Sequence, residues 1–559
     1  MTVVVSFLLW LDALPARYWA CVYLTSGFTL LSAWAAAFGP EWLRRWNRPV
    51  VFAALLAAAL LAFRWPLVFD NRQGPNPDES QMIAGAIVLK TDPLFWQSVD
   101  GTTHGPLVEL PLAALGALGV RLDYTNARLI SVALIWLMLV STWRTLGVLF
   151  GDGLGRVLVL PLAIFEITTT FWDFNAYSSE HVPIAMLAVA TWIMVAETMG
   201  GHSPRPVRLG LAGLVLGAVP FAKLQSVPIG LWLGAAGLVL IVSERAATWP
   251  ERLRRCAWLV GGALTVPLAI FAILLASGIF PDFWISYIQA NLNYAGEIPL
   301  GLRDAWSSLF VLARADTFRQ YAFNTLLALA GAMAILPWFG WRRTVRFTVF
   351  VVGGLLAAAV AVMAPHRTFT HYLQFLLAPL ALMFGALVGA IWTACDERAR
   401  GQRQPRLRWL GQTLVVVFVV VAGWQMFSNY RWEEPVNVGA FSATEGKLVR
   451  TPLAGIILTL TKKDDYVGMW GWEPRYLVEA NRRHATREAH SALELFPSPA
   501  RSYFRARYLS DFKRHRPPLF VDVVGPGAFY FDVRNRDAHE TFPELADEIA
   551  AHYQLVVES

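Results

Sequence analysis

Asp78 and Glu79 stand side by side in "NRQGPNPDESQ" (71–81), directly after the apolar run 50–69. A carboxylate held at the edge of a membrane is partly desolvated and gains basicity, which suits a general base. The same acids also fit the first turn of a helix, where the dipole favours negative charge; Pro75 and Pro77 stiffen the approach. Lys223, in "GAVPFAKLQSVPIG", is an ionisable group within an apolar stretch. Such a charge is costly unless it faces a cavity or partner, so it reads as a clamp for an anionic headgroup or as a lysine snorkelling to the interface. "APHRTFTHYLQF" (364–375) gathers His366, Arg367, His371 and Tyr372. Arg367 and His371 share a face once a helix has begun, and both can bind a phosphate. "FWDFNAYSSEHVPIAM" (171–186) adds Asp173, Tyr177, Glu180 and His181, with Ser178 or Ser179 able to cap the next helix and make Glu180 a first-turn acid. His104 and Glu109, joined by Glu180 and His181, offer ligands for a divalent metal, although no HExxH-type spacing supports one. Carboxylates beside cations at membrane depth suit transfer from a lipid phosphate: the cations stabilise the leaving group while a carboxylate activates the acceptor.

The elements that must position these residues follow from composition. The 559-residue chain is 56% hydrophobic and 16% charged, with a mean hydropathy of +0.45, whereas soluble domains are about a quarter charged. Runs at 17–38, 50–69, 127–147, 155–171, 181–199, 207–221, 225–243, 257–279, 322–340, 347–364, 371–393 and 410–428 approach the length of a membrane span. A mainly α, polytopic membrane protein of about 12 or 13 spans follows, since helices satisfy their own backbone groups. The net charge of +7 does not point to nucleic acid, because Lys and Arg fall largely in short loops between the runs.

Arg44, Arg45 and Arg48, then Arg245 to Arg255, Arg342, Arg343 and Arg346, and Arg398 to Arg408 mark alternate loops as cytoplasmic. The loops 70–126, 172–180, 280–321 and 365–370, and everything after about 429, are then extracytoplasmic, and they hold the acidic and histidine-bearing motifs. This requires 104–120 not to cross; with "ESQMIAGAIVLK" it reads as an interfacial helix. The rival reading makes 104–120 a span and puts Arg144 and Arg156 outside. The first residues lack a basic n-region and a cleavage site, so the N-terminus is expected to be retained. Cys21, Cys256 and Cys395 have no paired spacing and predict no disulfide framework. Residues 1–428 form a membrane domain and 429–559 a small extracytoplasmic α/β domain, with strands in "DDYVGMWGW" and "PPLFVDVV". Thr541 and Glu544 predict a capping box on a helix that runs into a strand, and "GPG" at 525–527 a turn.

The order of "NPDES", "HGPL", "NARLISVAL", "YSSEHVP", "AKLQSVP", "DFWISYIQANLNY" and "HRTFTHYLQFLLAPL" resembles the GT-C superfamily of polyprenyl-phosphate-sugar-dependent glycosyltransferases. The likeness is strongest to the branch of protein O-mannosyltransferases and the aminoarabinose transferase of lipid A, and "WGWEPRYLVEANRRHATREAH" resembles the trailing domain of some members. The resemblance implies an inverting transfer from a polyprenyl-phosphate sugar to a hydroxyl of a glycolipid, surface polysaccharide or protein, at the outer face of a bacterial inner membrane. It implies Asp78 as base with Glu79 beside it, Lys223, Arg367, His371 and Arg128 on the donor phosphate, and His104, Asp173, Tyr177, Glu180, His181 and Tyr372 around the sugar or acceptor. "HGPL" departs from the family's common "KPPL", which leaves His104 open. No cofactor is implied beyond a candidate divalent metal. A transporter or flippase of lipid-linked sugars could use the same cationic pocket, but no internal repeat is evident; a scaffold would leave Lys223 and the outer acids unexplained.

Overall fold

A computed structural model of the chain describes residues 15–69, 76–169, 171–296, 316–339, 345–367, 369–401, 405–432 and 450–558. Pro75, Arg342, Arg343 and the first 14 residues lie outside them. Among the described residues, eight helices are long and apolar enough to cross a membrane, by length and composition. They are Tyr18–Phe38, Pro49–Val68, Tyr124–Phe150, His181–Met199, Leu224–Val242, Trp249–Ala276, Val345–Met363 and Thr370–Glu397. The other expected runs form the shorter apolar helices Pro206–Phe221 and Trp409–Val421, the helix Asp316–Phe339, and a broken pair, Asp152–Leu158 and Leu160–Thr168. That pair breaks just before Pro161, whose ring is tolerated only in a first turn. The chain is the polytopic helical membrane protein its composition predicts.

The polar helix ends sort into two groups. At one end, Arg156 binds Asp152 and the Asn47 backbone, Arg255 binds Glu244 and Ser203, and Arg208 binds Glu197. Arg156 thus sits with the basic 44–48 loop, which excludes the rival topology. At the other end lie Pro77–Leu89 and Pro106–Ala117, packed on each other. At about 1.5 Å per residue the second is about 18 Å long, too short for a hydrocarbon core of about 30 Å.

The C-terminal region carries a parallel sheet in the order β2-β1-β3, with β1 Tyr466–Trp470, β2 Arg483–His484 and β3 Leu519–Asp522. Its core is continuous with that of the helices Pro77–Leu89 and Pro106–Ala117: Val467, Leu477 and Ile457 share one buried cluster with Met82, Val108, Leu112 and Tyr287. Arg507 donates to Asp100 (2.7 Å) and Arg487 to Asp282 (2.9 Å), which fastens this region to the segments at that end of the spans. Two local expectations fail. The last helix begins at Pro543, so Thr541 instead bonds back to the Ala538 carbonyl and no capping box forms. Residues 553–558 form no strand.

Candidate active site

Asn76 caps the Pro77–Leu89 helix, accepting from the amides of Asp78 (2.9 Å) and Glu79 (3.3 Å). Successive residues on a helix point about 100° apart, and the adjacent acids separate: Asp78 stays exposed while Glu79 is fully buried. Both Glu79 oxygens accept from Arg128 (3.0 and 2.9 Å), and one also accepts from the Tyr177 amide (2.8 Å). Arg128 donates further to the Leu67 carbonyl and lies over the Trp172 ring. Glu79 and Arg128 therefore form a buried strut between the helix Pro77–Leu89 and the spans. Tyr177 is also structural, its hydroxyl donating to the Val108 carbonyl (2.5 Å). His181 is buried at a helix start, where Nδ1 accepts from the Ser178 amide (3.2 Å).

The cluster forms around Lys223. The chain runs as helix Pro206–Ala218, breaks through two short 3-10 turns, and resumes at Val227–Val242, with Lys223 extended between them. Carbonyls freed by the break are satisfied by Tyr287 Oη on Pro220 (2.7 Å) and the Gly105 amide on Ala222 (2.9 Å), as a break at membrane depth requires. Lys223 Nζ donates to Ser179 Oγ (2.6 Å) and to Glu180 Oε1, and lies 5.4 Å from the centre of the Tyr372 ring. His371 reaches the same acids, Nε2 standing 3.9 Å from Glu180 Oε1 and Nδ1 3.9 Å from Asp173 Oδ2. Thr370 donates to Asp173, whose loop is held by Gln374 on the Asp173 carbonyl (3.1 Å) and by Arg64 on the Phe174 carbonyl (2.9 Å). Arg367 lies 4.6 Å over the ring of Tyr294.

Electrostatics tie Asp78 to this group. Although its side chain keeps contact with solvent, the surrounding protein raises its carboxyl above the usual carboxylate range, against the pull of His371 and Lys223. Glu180 is the opposite case: burial disfavours its charge, but Lys223 and His371 hold its pKa down at about 2. Asp173 is likewise held below its ordinary value, its burial outweighed by the nearby His371 and by the hydrogen bond from Thr370. One carboxylate is thus poised to take a proton while two are fixed as anions that orient cations. His104 sits behind the site, bonded to Glu109 (2.9 Å), and burial together with Lys223 pushes its pKa down to about 3. His104, Glu109, Glu180 and His181 are not gathered as a metal-ligand set among the described residues. Asp522, His539 and Glu540 do converge, but Arg534 already occupies both carboxylates.

Asp78, Asp173, Glu180, Lys223, His371 and Tyr372 come together, with Arg367 at the edge. Tyr294, Ser179, Thr370 and Gln374 were not expected; their neutral side chains carry no burial cost that would mark them in a sequence. An apolar cavity opens beside Gln374 and runs between the spans, lined by Thr142, Thr145, Leu187, Thr191, Ile229, Leu233, Phe350 and Leu382 among others.

The fold is that of a polytopic helical membrane protein. The chain is similar to ArnT from Cupriavidus metallidurans bound to undecaprenyl phosphate, with 13% identity over 91% of this chain and 96% of that one and a TM-score of 0.54. Apo ArnT from the same organism gives 14% identity, 80% and 89% coverage and a TM-score of 0.49. The Archaeoglobus fulgidus oligosaccharyltransferase in complex with Zn and sulfate gives 13% identity, 78% and 62% coverage and 0.40. At these identities the likeness concerns the fold. No family model and no curated protein matches the chain.

Proposed function

We propose that the protein is a GT-C-type glycosyltransferase that moves a sugar from a polyprenyl-phosphate donor to an acceptor hydroxyl, with inversion. The observation that carries this reading is the exposed Asp78 carboxylate, its pKa raised, within electrostatic reach of Lys223 and His371, which both meet Glu180. Gln374, bonded to the Asp173 carbonyl, also lines the apolar cavity between the spans, and the similar ArnT structure holds undecaprenyl phosphate. Asp78 takes the proton of the acceptor hydroxyl, whose oxygen attacks the anomeric carbon as the bond to the donor phosphate breaks. The polyprenyl phosphate leaves with its charge stabilised by Lys223, His371 and Arg367, in a preorganised site where such contacts count most. Glu180 and Asp173 hold Lys223 and His371 in place, and Tyr372 and Tyr294 wall the sugar.

In this reading the basic helix ends are cytoplasmic, so the site and the C-terminal region face the outside of the membrane. The acceptor class is a glycolipid, surface polysaccharide or protein. Transfer of label from polyprenyl-phosphate sugars by wild type, and its loss in Asp78→Asn, tests the reading.

A further inference from the structure

Trp472, just after β1, is at the centre of an aromatic group that the chemistry above does not use. Its ring stacks on His490 on one side (4.4 Å, 26°) and on Tyr530 on the other (5.7 Å, 25°), and meets Phe529 edge-on (5.3 Å, 89°). Three of the group remain exposed, Phe496 at 41%, Phe529 at 37% and Tyr530 at 51%. Burial therefore does not explain it.

The backbone is distorted to present this face. Tyr530 has φ 61, in the left-handed region that a bulky residue rarely adopts, and the Phe531 amide bonds the Phe529 carbonyl around it (2.8 Å). A tight three-residue turn of this kind is rare and strained, and such strain persists where the surroundings over-determine it, typically at ligand clamps. Glu473 fixes the turn by accepting from the Phe529 amide (3.2 Å) and is itself paired with Arg475 (2.9 Å). The buried Trp472 Nε1 has no hydrogen-bond partner among the described residues.

The platform adjoins the candidate active site. Tyr530 lies within electrostatic reach of Tyr294, which also responds to Arg367 and Asp78. The helix carrying Tyr294 follows the segment on which Arg487 and Tyr503 anchor the C-terminal region through Asp282.

We infer that Tyr530, backed by Trp472 and flanked by Phe529, forms an acceptor subsite whose exposed ring stacks on a pyranose, with Glu473 and Arg475 at its border. A pyranose offers an apolar C–H face and a polar rim, which matches a planar ring bordered by a carboxylate and a guanidinium. The inference rests on the proposed glycosyl transfer, of which it names the acceptor side.

The full chain in lipid nanodiscs is mixed with methyl glycosides of mannose, glucose, glucosamine and galactose, and saturation transfer from protein to ring protons is read by NMR. Wild type should saturate the C–H protons of at least one glycoside. Tyr530→Ala, an exposed site whose change leaves the core intact, should lower the signal about fivefold or more, while Tyr530→Phe keeps it. No glycoside signal above empty nanodiscs, or an undiminished signal in Tyr530→Ala, overturns the subsite. Binding of undecaprenyl phosphate, measured in the same discs for wild type and Lys223→Met, reports separately on the donor. Donor binding that ignores Lys223 would sink the transfer reading without touching the glycoside result.

Discussion

Lys223 Nζ, in the break between the helices Pro206–Ala218 and Val227–Val242, donates to Glu180 Oε1 at the start of His181–Met199, and both side chains are buried. His371 Nε2 stands 3.9 Å from the same oxygen, so one carboxylate orients two cations. Lys223→Met strips the buried Glu180 anion of its hydrogen-bonded cation and leaves only His371, 3.9 Å away, which costs up to about 3–5 kcal/mol of stability. Adding Glu180→Gln should restore most of the unfolding temperature. Donor affinity should not recover: the loss of a charge-assisted contact predicts undecaprenyl-phosphate binding weaker by about ten- to a hundredfold in both variants, as read by calorimetry.

Glu79 and Arg128 predict the reverse pattern. Arg128→Lys cannot reproduce the two-pronged bond to Glu79, so it should lower the unfolding temperature in detergent. The folded fraction should bind donor as wild type does. Weakened donor binding at unchanged stability would restore Arg128 to the phosphate site.

What the sequence disclosed was governed by cost. Lys223 and His371 were legible because a charge in an apolar setting must have a partner. By the same rule Arg64 and Glu166 should have been noticed: both fall in apolar runs, and they meet as a buried pair at 2.7 Å that holds the Asp173 loop. Asp78 and Glu79 could not be separated, because helix phase, which nothing local reveals, sends one to the pocket and the other to Arg128. Arg128 pairs across 49 residues, a distance no spacing argument covers. The spans were legible as apolar runs; that the C-terminal region shares a core with the helices Pro77–Leu89 and Pro106–Ala117 was not, since apolar residues do not announce their partners.

The acid limb of activity should follow Asp78. Its carboxyl must be ionised to act, and protein packed around it raises its pKa, so activity should fall on the acid side at a higher pH than for a free carboxylate near about 4. Lys223 and His371 oppose this rise, whereas Glu180 and Asp173 add to it. Lys223→Met should therefore move the limb of the residual kcat to higher pH, and Glu180→Gln to lower pH. Shifts of the opposite sign would remove Asp78 from the role of base.

The most direct test incubates purified wild type and Asp78→Asn, in lipid, with radiolabelled polyprenyl-phosphate sugars and envelope extract. Wild type should move label into an acceptor, while Asp78→Asn, folded and still binding donor, should move none. Near-normal transfer by Asp78→Asn would contradict the assignment of the base. Donor binding or translocation by both proteins without transfer to any acceptor would contradict the glycosyltransferase itself.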